Sequence, residues 1–252
     1  MAEPLYRGIV EAFKGVFRVL GMKLDVVGEE NIPLSGGAIL ALNHTSYLDF
    51  ALGGVPADMR GRRLVRFMAK DSVFRHPIAG PLMRGMKHIP VNRDDGSQAF
   101  QDAVSDARRG ELIGVFPEAT MSRSLEIKEI KGGAVRMAQT AKVPLIPMIV
   151  FGGHRVLSYG VKDFTRGRPI CMTVGEALPD VQGNEADAVT LQLRARLSSL
   201  LDETIARYPD KPQGAPWIPH RHGGSAPTLE EARAWEEERR ARKAAERGGG
   251  SA

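Results

Sequence analysis

The chain has 252 residues, 42% of them hydrophobic and 26% charged, the composition of an ordinary globular α/β domain with room for one sizeable core. Lys and Arg number 35 against 30 acids, a net charge of +5 that favours anionic partners; no RNA-stacking motif, zinc spacing or helix-turn-helix pattern accompanies it, so nucleic acid ranks low. The single Cys171 excludes an internal disulfide framework and fits a reducing compartment, and no window approaches the ~20 apolar residues of a membrane-spanning helix.

In chain order, residues 3–20, EPLYRGIVEAFKGVFRVL, carry Leu5, Ile9, Val10, Phe13, Val16, Phe17 and Leu20 at spacings of three and four. That is an amphipathic helix, placed either on the core or in a membrane interface with Arg7, Lys14 and Arg18 toward anionic lipid. Strands are expected at 37–42 (GAILAL), 64–69, 87–91, 111–116 (ELIGVF), 144–152 (PLIPMIVFG) and 168–175, and helices at 96–110, 133–142 and 187–208. The alternation predicts a mainly parallel central sheet flanked by helices. After residue 209 a Pro/Gly-rich linker leads to TLEEARAWEEERRARKAAER, where Thr228 and Glu231 stand in capping-box positions and charge of both signs predicts a solvated helix or a disordered tail. The expected organisation is therefore a helix over 1–24, a catalytic domain over 25–209 and an appendage over 210–252.

Two stretches carry chemistry. Residues 43–49 read NHTSYLD directly after an apolar strand. Ser46 could cap a helix with Asp49 in its first turn, which accounts for the acid but not for His44. The same spacing lets Asp49 fold back on the imidazole, fix its tautomer and support it as general base toward a hydroxyl. Downstream, VFPEATMSRS and LEIKEIKGGA bring hydroxyls, Arg123, Lys128, Lys131 and paired glycines to a strand–turn–helix connection suited to a phosphate, and Arg93 follows a third strand in HIPVNRD.

The blocks NHTSYLD, IPVNR, FPEATMS, IKGGA and VPLIPM, spread over roughly residues 25–175, resemble those of the glycerophosphate and lysophosphatidate acyltransferase family in the family's own order. The resemblance implies that His44 and Asp49 form the catalytic pair and that Arg93, Phe116, Pro117, Glu118 and Thr120 hold the glycerol phosphate. Ala119 replaces the family's glycine and Met121 its arginine, whose contact would pass to Arg123 with Lys128 or Lys131. The implied reaction moves a fatty acyl group from acyl-CoA or acyl carrier protein to 1-acylglycerol-3-phosphate, giving phosphatidic acid, with no cofactor beyond the acyl thioester and no metal. The implied setting is cytoplasmic, peripheral on the inner face of the cell membrane, with the apolar positions of 73–86 offering a slot for the acyl chain. Rival readings are a related acyltransferase with another lysophospholipid, glycolipid or amine-lipid acceptor, a non-catalytic lipid-surface binder, or a serine hydrolase. The last lacks a G-x-S-x-G elbow, though Ser46 offers a nucleophile.

Overall fold

The structure is a computed structural model in which residues 3–92 and 95–248 are described. The chain forms α1 (Pro4–Val19), β1 (Lys23–Val27), β2 (Ala38–Leu42), the short helices α2 (Asp49–Gly53) and α3 (Val55–Met59), β3 (Val65–Lys70), α4 (Asp71–Phe74) and α5 (Ala79–Gly85). There follow β4 (Ile89–Val91), α6 (Ser97–Arg108), β5 (Leu112–Val115), α7 (Gly133–Ala141), β6 (Leu145–Phe151), β7 (Leu157–Ser158), β8 (Val161–Lys162), β9 (Pro169–Val174), α8 (Ala186–Arg207) and α9 (Leu229–Gly248).

Seven strands make one sheet in the order β1-β9-β6-β2-β5-β3-β4, and β7 and β8 pair as a separate hairpin. The five strands from β6 to β4 are parallel, while β9 runs antiparallel to β6 and β1 pairs parallel with β9. This is the mostly parallel, helix-flanked sheet that the alternation predicts. The direction of β9 and the existence of β1 are not in that pattern: a periodicity has no polarity, and β1 is an edge strand, KLDVV, with four of its five residues exposed.

The apolar runs follow from burial on both faces of the sheet. Along β2, Ile39 and Ala41 enter one core while Ala38, Leu40 and Leu42 enter the other, and β6 divides likewise into Leu145, Ile149 and Phe151 against Ile146, Met148 and Val150. Helices α6, α7 and α8 close the first face; α1, α2 and α3 close the second. Each fully buried aliphatic side chain contributes about 1.5–3 kcal/mol.

Helix α1 packs on the core. Tyr6 and Phe17 are buried, the Tyr6 hydroxyl donates to Val65 O at 2.6 Å, and Phe13 meets Phe50 edge-on. Leu5, Val16 and Val19 face outward, so the buried stripe is rotated by about one residue from the one the spacing predicts. Arg7 and Lys14 both pair with buried Asp58 rather than pointing away from the protein. No described helix is long and apolar enough to cross a membrane.

The segment after 209 is ordered against the domain. Ala215 and Ile218 join the first core, Arg155 pairs with Asp210 at 2.6 Å, and the Trp217 indole donates to Asp210 O. The predicted capping box forms: Glu231 N–H donates to Thr228 Oγ1 at 3.2 Å and Thr228 N–H to Glu231 Oε2 at 2.8 Å. The helix that it starts is not simply solvated, because Ala232 is buried and Glu236 reaches Lys128.

Candidate active site

The sheet delivers its first functional side chain through Asn43. Its side chain continues the ladder beyond β2, donating to Val150 O at 3.1 Å and accepting from Val150 N–H at 2.8 Å. The next residue therefore leaves the sheet at the carboxyl end of its parallel strands, where such folds place ligands. His44 Nδ1 lies 3.0 Å from Asp49 Oδ2, and that oxygen also accepts the N–H groups of Thr45 at 2.6 Å and Ser46 at 2.7 Å. Asp49 is fully buried, while the His44 side chain keeps 24% of its surface exposed. A carboxylate oxygen can only accept, so Nδ1 carries the hydrogen and Nε2 presents a lone pair outward. No described residue bonds His44 Nε2.

Ser46 does not cap α2, which starts at Asp49 with Leu48 as its N-cap and no side-chain cap bond; its Oγ accepts Leu48 N–H at 3.0 Å in the turn before the helix. Its hydroxyl donates to Leu157 O at 2.7 Å and the residue is fully buried, which removes it as a nucleophile.

The imidazole is held from the second stretch. Phe116, just past β5, stacks on it with ring centroids 4.4 Å apart, and Phe67 stacks behind Phe116. Buried Glu118 accepts His44 N–H through Oε1 at 2.9 Å and Lys128 N–H through Oε2 at 3.1 Å, while His44 O accepts Ser122 N–H at 2.7 Å. Both peptide groups of residue 44 are thus clamped by the 118–122 turn. Burial drives the Glu118 carboxyl up to about 7 against the two amide donors and the charge of Lys128, which oppose the rise. Both of its oxygens are taken by backbone amides, so Glu118 braces residue 44 and the turn rather than presenting a free oxygen to the site.

Of the expected cations, Lys128 reaches Thr120. Lys128 Nζ donates to Thr120 Oγ1 at 2.7 Å and pairs with Glu236 Oε1 at 2.7 Å. The Arg123 guanidinium lies 4.5 Å from the Tyr159 ring centroid and 5.5 Å from that of Trp235. Lys131 has an exposed side chain and enters this turn only through its N–H, donated to Pro117 O. Met121, where the expected arginine is missing, is buried, and Arg123 places a guanidinium at this wall, as does Arg239 against the same Tyr159 ring. Arg93 lies outside the described residues.

Against known proteins, the family model described as Acyltransferase matches residues 23–151, half of the chain. The chain belongs to the acyltransferase family. It is 27% identical over 202 residues to a 1-acyl-sn-glycerol-3-phosphate acyltransferase of Bacillus subtilis, covering 79% of this chain and 92% of that protein. It is 24% identical to a chloroplastic 1-acyl-sn-glycerol-3-phosphate acyltransferase of Arabidopsis thaliana, covering 71% of this chain but 49% of that one. In fold it is similar to the crystal structure of the 1-acyl-sn-glycerophosphate acyltransferase from Thermotoga maritima, with TM-score 0.66, 21% identity and 81% of each chain covered.

Within this acyltransferase the matched span holds His44, Asp49, Glu118 and Lys128, whereas Tyr159, Trp235 and Glu236 lie beyond it. Sequence reasoning missed those three. The available signal was weak: one Trp inside a run of charges, and one Tyr before the turn glycine Gly160.

The acyltransferase's Ala119 has φ +61°, the left-handed conformation that favours glycine. An L side chain pays about 1–2 kcal/mol there, of which glycine's looser unfolded state returns about half. Ala119→Gly should therefore stabilise the fold by about 0.5–1 kcal/mol and raise the melting temperature by about 1–4 °C. A lowered melting temperature in calorimetry would refute this account of the turn.

Proposed function

We propose that this acyltransferase moves a fatty acyl group from a thioester, acyl-CoA or acyl carrier protein, onto the free hydroxyl of 1-acylglycerol-3-phosphate, giving phosphatidic acid. One observation carries the reading: an imidazole with Nδ1 tied to a buried carboxylate and Nε2 bonded by no described residue is clamped by a turn whose segment also holds Lys128, Thr120 and Arg123. In this reading His44 Nε2 takes the hydroxyl proton as the oxygen attacks the thioester carbonyl. The new C–O bond forms, the C–S bond breaks, and the proton passes from Nε2 to the departing sulfur. Asp49 orients the ring and supports its transient charge. Lys128, Thr120 and Arg123, with Arg93, hold the phosphate and so align the hydroxyl, and alignment contributes as much as proton transfer or more.

The stretch 73–86, expected to offer a slot for the acyl chain, does not form one continuous stripe. That stretch divides between α4 and α5, with Phe74 and Met86 buried but Ile78 and Leu82 exposed. The crevice beneath α1, lined by Phe13, Phe17 and Phe50 but also by Lys14, Asp58 and Arg63, encloses only about 40 Å³, too little for a fatty acyl chain. The site in this proposal works at an anionic membrane surface on the inner face of the cell membrane, which α1 would approach through Val16 and Val19. Because Tyr6 and Phe17 are core residues, removing α1 would unfold the domain; the informative change is Val16→Ser with Val19→Ser. Flotation with phosphatidylglycerol vesicles should show binding weakened about tenfold at unchanged melting temperature, and unaltered binding would exclude α1 as the contact.

An acyl-transfer assay with labelled thioester tests the function, offering lysophosphatidate beside lysophospholipids with larger headgroups, a glycolipid and an amine lipid. Transfer to lysophosphatidate is expected to dominate. The buried Met121 and the Arg123 that stands over Tyr159 favour a wider anionic headgroup as the second reading, and preferred use of such an acceptor would establish it. Vesicle binding without turnover would leave a lipid-surface binder.

A further inference from the structure

Helix α9 has no part in the acyl-transfer chemistry, yet it carries an acid into the cation cluster. Glu236 Oε1 lies 2.7 Å from Lys128 Nζ and Oε2 lies 3.4 Å from Thr120 Oγ1. The two partners of the ion pair are largely withdrawn from water, with 14% and 19% of their side-chain surfaces exposed. One residue earlier, Trp235 faces the Arg123 guanidinium at 5.5 Å, and Arg239 reaches the far partner of that arginine, lying 5.2 Å from the Tyr159 ring. The helix is anchored at its start by the Thr228–Glu231 cap and buried Ala232, while Trp235 remains 49% exposed.

We propose that Glu236 is a built-in competitor of the acceptor, its carboxylate occupying the subsite on Lys128 and Thr120 that a phosphate monoester fills, with α9 as the lid that must yield. This inference rests on the acceptor reading above and adds a regulatory element to the same site. The physical case is one of exchange. An ammonium this shielded is costly to leave unpaired, so a carboxylate holds it while the site is empty. A phosphate monoester near neutral pH brings close to two charges and three acceptor oxygens, against one charge and two oxygens on Glu236. It therefore displaces the carboxylate and engages Arg123 as Trp235 withdraws. A neutral hydroxyl lipid brings no charge and leaves Glu236 in place. The competitor thus selects for phosphate-bearing acceptors and lowers their apparent affinity by the fraction of time that the lid is open. Trp235 and Glu236 fall outside the span that the family model matches.

The full-length Glu236→Gln variant tests this, since the amide keeps shape and fold but loses the charge. Its KM for lysophosphatidate should fall about tenfold, with the KM for the acyl thioester as internal reference. By calorimetry, sn-glycerol 3-phosphate and inorganic phosphate should each bind about tenfold more tightly to the variant, whereas glycerol should bind neither protein. Lys128→Ala should erase the difference between the wild-type and Glu236→Gln backgrounds. A matching gain for inorganic phosphate assigns the subsite to the phosphate alone; a gain only for sn-glycerol 3-phosphate assigns it to the whole headgroup, and both support competition. If neither protein transfers acyl groups to lysophosphatidate but the phosphate ligands still tighten, the acceptor reading fails while the competition stands. If transfer proceeds and both the acceptor KM and the phosphate affinities are unchanged or weaker in the variant, the competition is refuted.

Discussion

Replacing His44 with alanine should lower kcat for acyl transfer by about 10²–10⁴-fold while the melting temperature stays nearly constant. The side chain is partly exposed, stacks on Phe116 and bonds Asp49 at the edge of the sheet rather than inside either apolar core. The loss is chemical: without Nε2 nothing in the described site takes the hydroxyl proton. Asp49→Asn should also depress kcat, but for a geometric reason and at a cost in stability. Asp49 Oδ2 receives three donors, from His44 Nδ1, Thr45 N and Ser46 N. An asparagine turned to keep its oxygen there still presents its amide group to a buried pocket built for a carboxylate. Turned the other way, it sets donor against donor and forces the imidazole into the tautomer with Nε2–H. The expected penalty is about 1–3 kcal/mol. Because the two residues act as a unit, the double variant should be little slower than His44→Ala alone. Wild-type turnover in His44→Ala, with the protein's purity controlled, would remove His44 from the chemistry.

The second large effect belongs to Glu118. Glu118→Ala opens a cavity and strips the acceptor from two buried amides, those of His44 and Lys128, and should cost about 2–5 kcal/mol of stability, together with most of the activity through a loosened imidazole. The pH dependence gives this assignment a sign. Burial raises the folded-state value to about 7 from the ordinary 4.5. Between those values the folded protein holds more protons than the unfolded chain, so Glu118 makes stability fall as pH rises from about 4.5 to about 7 and flatten above. The alanine variant should therefore differ from wild type more at pH 5 than at pH 8. Glu118→Gln, close in shape and without the titration, should lose the falling slope altogether. Urea unfolding at a series of pH values measures both, and a Gln variant whose pH profile overlays wild type would refute the buried titration.

Both effects depend on contacts of different reach, which explains what could be read beforehand. The His44–Asp49 pair is local: the acid stands five residues on, across a strand end and a turn, at the first residue of α2, and the chemistry of an imidazole beside an acid is apparent from spacing. The capping box at Thr228 is local too. Glu118 was legible as part of a site but not in its role, because its partner lies 74 residues away and nothing in FPEATMS says whether the acid faces a ligand or a backbone amide. The same holds for α1, where spacing marks an apolar stripe that includes Phe17 but not that Tyr6 turns inward while Leu5 and Val16 face out.

Alternating apolar strands and amphipathic helices, read along the chain, sufficed for a mainly parallel α/β sheet with its functional residues at the strand ends, since periodicity and turn chemistry are properties of neighbours. The antiparallel course of β9, the clamp of Glu118 on residue 44 and the docking of Glu236 on Lys128, 108 residues away, were settled only when the chain closed on itself. A charged or apolar pattern records which face a segment offers, and the energy that chooses the partner for that face comes from burial and charge pairing between segments far apart in sequence.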